Sequence, residues 1–286
     1  MPDIRIGEPF PWEPLPPGEE VIPGREQETL RRDLERAVPF PSSPDPDVMA
    51  EIEAAAAGRG GSGRPPGRNG TFSPDDFPPS GPPDLLAYYR SFRYRDKWGV
   101  FILRSGLVSV ASRFARAGMR PNDAHSAALY LLKHHEMFHF FVDRAVLTLE
   151  TNTALQTGAM PKLWVPFNRH HAAYELEEAC ANAYAYRMAR QNVRPAVRAF
   201  ISSQPAGYRE VDFDRKVPGT TWGSFQQSES QLLSDYLQGP GKEGTWRSVG
   251  LHGLILYNDL PNGKKGDEYF AAPDGRKTKV PVWFVR

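Results

Sequence analysis

The sequence has little of what marks secreted, membrane-spanning or nucleic-acid-binding proteins. Its 286 residues include one cysteine, Cys180, so the chain can form no internal disulfide and no zinc site of four thiolates. No apolar run reaches the ~18 residues of a membrane-spanning helix, and the N-terminus lacks the basic and apolar segments of a signal peptide. The formal net charge of +1 argues against general binding to nucleic acid or to a membrane surface. We therefore expect a cytoplasmic protein.

Proline sets the first part of the chain apart. The first 83 residues hold 18 of the 28 prolines, and residues 58–67 consist only of glycine, arginine, serine and proline. Proline removes a main-chain donor and glycine adds conformational entropy, so such a segment resists regular structure. We predict that residues 1–83 form a Pro/Gly-rich arm, either partly disordered or packed on the core, with short helices near 27–38 and 47–57. Laid over the folded domain and across the active site, this arm would inhibit the protein.

Residues 84–210 are predicted to form the core. Residues 98–103 read WGVFIL, an apolar and β-prone run that predicts a buried strand. A helix start signal at 121–123 (PND) precedes the longest helical pattern. The predicted elements are a short helix at 84–92, the strand at 98–103, an ambiguous strand or helix at 107–117, and helices at about 125–150, 172–191 and 194–203.

Residues 211–286 are predicted to form a small, β-rich C-terminal module that docks a substrate or a partner. The pattern indicates a helix at 224–237 and strands at 251–257, 268–271 and 279–285. Turn signals at 261–263 (PNG) and 274–275 (DG) separate the strands.

Two histidines and a glutamate in the longest predicted helix form a metal-binding pattern. His135 and His139 lie four residues apart, which on a helix is ~400° of rotation, so both imidazoles leave the same face. Two neutral imidazole nitrogens in this arrangement can share one Zn²⁺ at ~2.0–2.1 Å. Glu136 is rotated ~100° from His135 and can reach a water on the metal without ligating, so it is the candidate catalytic base. The surrounding helix is apolar, where unpaired polar groups are costly.

A catalytic zinc needs a third protein ligand, and the next helix offers two glutamates. Glu178 and Asn182 lie i, i+4 on one helix face, which suits a ligating carboxylate and an amide that holds a ligand histidine. Glu177 is the competing ligand. Small side chains at 179, 181, 183 and 185 would let this helix approach its neighbour closely. The residues alone also allow a helix with solvated glutamates.

The two patterns together resemble the gluzincin class of zinc peptidases. Residues 135–139 (HEMFH) are followed, 39 residues beyond His139, by residues 178–182 (EACAN), a pattern also similar to the glutamate helix of ImmA/IrrE-type bacterial peptidases. The resemblance covers about 98–191. It implies a zincin-like core, Zn²⁺ as the cofactor and Glu178 as the third ligand. It also implies that an extended substrate aligns by strand addition on the strand at 98–103.

The sequence departs from related zinc peptidases at three positions. Asn182 stands where gluzincins often have an aspartate, which leaves its supporting role less firmly implied. Val142 and Ala145 stand where the metzincin pattern has its glycine and third histidine, so that class is excluded.

A peptidase also needs a group that stabilises the oxyanion. The candidates are His170, His171, Tyr174, Tyr184 and Tyr186. Cys180 is two residues from Glu178 and therefore on another helix face, so we interpret it as an inert buried thiol.

The C-terminal module supplies the alternative function. Residues 250–253 (GLHG) and 279–282 (KVPV) resemble the G-S-H and V-P strands of HicA-type mRNA interferases, with Leu251 in place of the expected serine. On this interpretation the protein is an RNase-like toxin or a binding protein that acts through His252 and carries a structural zinc.

The preferred interpretation is an α+β protein with a zincin-like metallopeptidase core. Its small sheet, HExxH helix and glutamate helix are flanked by the arm and the C-terminal module. The predicted function is that of a zinc-dependent endopeptidase, a hydrolase that cleaves a cytosolic protein substrate through a metal-activated water. A regulatory or defence role follows by analogy with ImmA/IrrE-type enzymes.

Overall fold

The computed structural model describes part of the chain. The described residues are 31–57, 72–73, 77, 86–93, 97–157, 171–204, 209, 269–271 and 277–286. Within helices and strands, the side chains at 145–146, 148–157, 171–177, 179–180, 269–271 and 277–278 are outside this description. The helix predicted at 224–237 and the strand predicted at 251–257 therefore lie outside the described residues.

The fold is α+β, as the sequence predicts. The described helices are α1 (Pro46–Ala57), α2 (Arg104–Arg116), α3 (Pro121–Thr157), α4 (His171–Met188) and α5 (Arg194–Ser202). The described strands are β1 (Ala37–Pro39), β2 (Ala87–Arg90), β3 (Gly99–Leu103), β4 (Tyr269–Ala271), β5 (Lys277–Lys279) and β6 (Val282–Val285). Residues 31–36 are also helical. None of the described helices is long and apolar enough to cross a membrane.

Strong local patterns predicted most of these elements. Strand β3 and helices α1, α4 and α5 are confirmed within a few residues, and the ambiguous segment at 107–117 is helical. Helix α3 is confirmed but extends beyond both ends of the predicted range 125–150. The helix predicted at 84–92 is wrong, because residues 87–90 form β2 and pair antiparallel with β3. Tyr88 stacks on Phe101 across that pair at a ring distance of 4.8 Å, and such cross-strand contacts override a short helical pattern. The single strand predicted at 279–285 is divided between β5 and β6 at Pro281, which has no N–H to donate.

A four-stranded sheet forms one layer of the core, in the order β1-β6-β3-β2. Strand β3 pairs parallel with β6 and antiparallel with β2, so both of its edges are occupied. Strand addition at 98–103, implied by the resemblance, is therefore wrong. Strand β2 is the end strand of this sheet in the described part of the chain, and it lies against α3.

The sheet draws strands from all three predicted segments. Strand β1 comes from the arm and β6 from the C-terminal module, and these two strands pair antiparallel. Helix α1, also from the arm, buries Val48 and Ile52 completely. Removing residues 1–83 would thus delete a strand and a helix of the core, so it could not test whether the arm is inhibitory. The boundaries at 83 and 210 stay predictions.

Close packing of α2 helps to place the end strand. A Cβ atom at Gly106 would lie 2.0 Å from the carbonyl oxygen of Leu86, so glycine is required for α2 to approach the chain just before β2. Leu103 donates its main-chain N–H to the same carbonyl oxygen at 3.3 Å. The two contacts fix the start of β2 beside the helical layer.

Candidate metal centre

The long helix α3 carries two of the predicted ligands. His135 and His139 are about one turn apart on it, with side chains 16% and 15% exposed. Their neighbours are buried apolar side chains that fix the helix in the core: Leu131, Leu132, Met137, Phe138, Phe140, Phe141 and Val142. The histidines are thus held on a helix whose orientation is set by packing.

Helix α4 brings the third predicted ligand to α3. Glu178 and Asn182 are buried, at 6% and 7% exposure, on the side of α4 that meets α3. Ala181, Ala183 and Ala185 are buried as well, which confirms that small side chains occupy the packed part of α4. Because alanine adds little bulk, the two helices can pack closely enough for short side chains to meet.

The three predicted ligands form one group. The Nε2 atom of His135 lies 3.0 Å from Oε2 of Glu178, and Nε2 of His139 lies 3.5 Å from Oε1 of Glu178. The two Nε2 atoms are 3.5 Å apart. All three residues offer ligand atoms within 4.8 Å of one another, so the group could hold a metal ion. Ligand atoms sharing one tetrahedral ion at ~2.0–2.2 Å stand roughly 3.3 Å apart, so the donor set fits.

Asn182 orients the first histidine. Its Oδ1 atom lies 2.9 Å from Nδ1 of His135. When Nδ1–H donates to this oxygen, the lone pair of Nε2 is left on the side of His139 and Glu178. This is the arrangement predicted for Asn182, with an amide where an aspartate is the more common partner.

Burial and neighbouring charges act in opposite directions on the pKa values of the group. Burial lowers the pKa of His135, but the nearby carboxylates of Glu178 and Glu136 outweigh it, so the pKa is raised overall. Burial raises the pKa of Glu136, against the opposing influence of His135 and His139. Two buried carboxylates beside two imidazoles are an unfavourable set by themselves, and a cation bound between them would offset that cost.

Glu136 is near the ligand group without belonging to it. Its side chain is buried, with the residue 7% exposed, and it interacts with the charges of both histidines. The main-chain N–H of Tyr89 in β2 donates to its carboxylate. Glu136 is thus positioned between the metal-binding group and the end strand of the sheet.

The structure describes the other predicted site residues only in part. His170 and His252 lie outside the described residues, so the roles predicted for them stay predictions. Glu177, His171, Tyr174 and Cys180 belong to α4, but their side chains are outside the description. Tyr184 packs in the core against Phe138 and Phe141 at ring distances of 6.1 and 5.6 Å.

One buried group was missed by the sequence analysis. Asp143, 4% exposed on α3, accepts hydrogen bonds from Tyr89 and Ser91 and pairs with Arg93. The available signal was a charged residue one turn beyond His139 within an apolar run. Its partners lie about fifty residues earlier in the chain, so local spacing could not find them.

Comparison with known proteins adds no relative. Neither family models, nor curated proteins, nor solved structures give a match to the chain. The interpretation of the site therefore depends on its own geometry and chemistry.

Replacing Asn182 by alanine should weaken zinc binding ~10–100-fold, because the hydrogen bond that orients His135 would be lost. Zinc affinity is measured by competition with a chromogenic chelator, and circular dichroism monitors folding. Asn192, exposed after α4, is the matched control, and Asn192→Ala should leave the affinity unchanged. Equal affinities in both variants would exclude an orienting role for Asn182.

Proposed function

We propose that the protein is a zinc-dependent endopeptidase with a zincin-like core. One observation carries the proposal: His135, His139 and Glu178 form a buried donor set, and a separate buried carboxylate, Glu136, lies beside it. A structural site needs no such additional carboxylate. A hydrolytic site needs one, to move protons during bond cleavage.

The donor set favours zinc among the common metals. Two imidazole nitrogens and one carboxylate are typical of catalytic zinc sites, which keep one position open for water or substrate. Calcium and magnesium prefer oxygen ligands, and the single cysteine excludes a thiolate-rich centre. Zinc bound here would polarise the substrate carbonyl and lower the pKa of water towards ~7.

Glu136 is the proposed base. Burial raises the pKa of its carboxyl group. A carboxylate beside the ligand group can accept a proton from water and release it again. The N–H of Tyr89 fixes the orientation of the carboxylate. Glu136 takes a proton from the attacking water and delivers it to the nitrogen of the departing amine.

The end strand β2 is the proposed substrate-aligning element. The bond from Leu103 N–H to the Leu86 carbonyl oxygen sets the alternation of this antiparallel pair, so Ala87 and Tyr89 direct their main-chain groups away from β3. The N–H of Tyr89 is taken by Glu136, so an extended peptide at this edge would pair with the main-chain groups of Ala87 and the carbonyl oxygen of Tyr89. The peptide would then lie along α3, beside Glu136. The proposed substrate-aligning strand is therefore β2 and not the strand at 98–103.

The proposed substrate is a specific cytosolic protein, in a regulatory or defence setting. This part rests on the resemblance to ImmA/IrrE-type peptidases. The described arm residues 37–57 are built into the core. The proposed regulatory partner would bind the exposed part of the arm or the C-terminal module.

Comparing the proteomes of cells that express the wild type or Glu136→Gln tests the function. We expect one or a few proteins to show new N-termini only with the wild type. Glu53→Gln, which changes an exposed glutamate of α1, should behave as the wild type. Identical sets of N-termini in all three samples would reject the peptidase proposal.

A further inference from the structure

Asp143 is a buried carboxylate that the proposed catalytic chemistry does not use. Its Oδ2 atom accepts a hydrogen bond from the hydroxyl of Tyr89 at 2.9 Å and another from the hydroxyl of Ser91. Its Oδ1 atom accepts from Nε of Arg93 at 3.0 Å. All three partners lie in or directly after β2, so one side chain of α3 holds the end of the edge strand.

Tyr89 connects this carboxylate to the catalytic one. Its main-chain N–H donates to Glu136, and its hydroxyl donates to Asp143. Glu136 and Asp143 are seven residues apart on α3, which places them ~20° apart around the helix and ~10.5 Å along it. A single residue of β2 therefore spans two turns of the helix, with a carboxylate at each end.

We propose that Asp143 is a positioning residue that acts through Tyr89. By holding the Tyr89 hydroxyl, it keeps the N–H of Tyr89 on the Glu136 carboxylate and keeps the outward edge of β2 aligned with α3. The part of the proposal that concerns cleavage rests on the proposed function. The part that concerns the strand does not.

Tyr89 makes two kinds of contact with α3: its hydroxyl donates to Asp143, and its ring packs on Phe140. Hydrogen bonds to an ionised carboxylate are about twice as strong as neutral ones. The Tyr89 ring also packs on Phe140, with ring centroids 6.1 Å apart. Tyr89→Phe keeps that ring and removes only the hydroxyl, so the packing is preserved. The variant loses the bond to Asp143 and the longer bond, at 3.3 Å, that the hydroxyl accepts from the N–H of Phe92.

Tyr88 provides a matched control on the same strand. Its ring stacks on Phe101 on the other face of the sheet, and its buried hydroxyl has no hydrogen-bond partner in the described structure. Tyr88→Phe therefore removes the same atom one residue away without breaking a described hydrogen bond.

Hydrogen exchange of the amide at position 89, in the full chain, is the decisive measurement. Tyr89→Phe should accelerate that exchange ~10-fold or more, because the N–H is no longer held on Glu136. Tyr88→Phe should leave it within about twofold, and the amide of Val100 inside the sheet should be unchanged in both variants. Unchanged exchange at position 89 in Tyr89→Phe would overturn the proposal.

The kinetic readout distinguishes this proposal from the proposed function. On the substrate identified in cells, Tyr89→Phe should lower kcat ~10-fold with little change in zinc content, while Tyr88→Phe keeps the wild-type kcat. Asp143→Asn should reproduce the exchange effect if it folds. A wild type that cleaves nothing would reject the proposed function and leave the exchange result valid. A cleaving Tyr89→Phe variant with unchanged kcat would reject the positioning role.

Discussion

Glu136→Gln should reduce cleavage at least ~10²-fold while zinc stays bound, because general-base catalysis contributes ~10²–10⁴-fold. Glutamine keeps the shape of the side chain and an oxygen that can accept the N–H of Tyr89. It cannot take a proton from water, so the chemical step should fail while folding and substrate binding persist. Steady-state cleavage of the substrate identified in cells measures the loss, and metal analysis establishes that zinc remains.

The control for this substitution is Glu53→Gln, which removes one negative charge from an exposed position on α1. It should cleave at the wild-type rate. Full activity in Glu136→Gln would show that the buried carboxylate is not the base. The zinc would then be interpreted as structural, and the function would have to be sought in the C-terminal module.

His139→Ala should lower zinc affinity by more than the ~10–100-fold expected for Asn182→Ala, because it removes a ligand rather than a supporting group. The wild type should purify with about one zinc per chain, and the variant with almost none. Elemental analysis after gel filtration measures the content. Glu178→Gln provides a second ligand variant that keeps the side-chain volume.

His134→Ala is the matched control for loss of an imidazole. His134 is the neighbour of His135 on α3, but its ring stacks on Tyr130 and its Nδ1 lies 2.8 Å from the Tyr130 carbonyl oxygen. The His134→Ala variant should therefore keep its zinc. Equal zinc loss in the His134 and His139 variants would indicate unfolding in place of ligand removal. Zinc retention in both His139→Ala and Glu178→Gln would reject the metal proposal.

The helical part of the site was predictable because its information is local. The i, i+4 spacing of His135 and His139 fixes their common face as soon as the segment is a helix. The same spacing places Glu178 and Asn182 together on α4. The residue patterns made both helices recognisable. Burial of Glu178 without a cation or hydrogen-bond partner would be costly, so a partner was expected.

The sheet was less predictable because strand pairing depends on distant residues. β1 and β6 lie at opposite ends of the chain, yet they are adjacent in the sheet. The prediction of a helix at 84–92 was wrong for the same reason. Residues 87–90 have only a short pattern of their own, and pairing with β3 makes them a strand. Sequence spacing also could not show that both edges of β3 are occupied, so the strand addition implied at 98–103 was wrong.

The contacts of Asp143 combine both kinds of information. Its place one turn beyond His139 is visible in the sequence, but Tyr89 and Ser91 reach it only because β2 packs on α3. The sequence therefore showed an aspartate that is costly to bury, but only the fold showed which groups bind it.

Anomalous diffraction from crystals grown with Zn²⁺, recorded on both sides of the zinc absorption edge, tests the central claim most directly. The account predicts one peak at ~2.0–2.2 Å from Nε2 of His135, Nε2 of His139 and a carboxylate oxygen of Glu178. Glu136 should lie outside bonding distance of that peak. Absence of a peak at this position, or a peak that Glu136 ligates directly, would contradict the account.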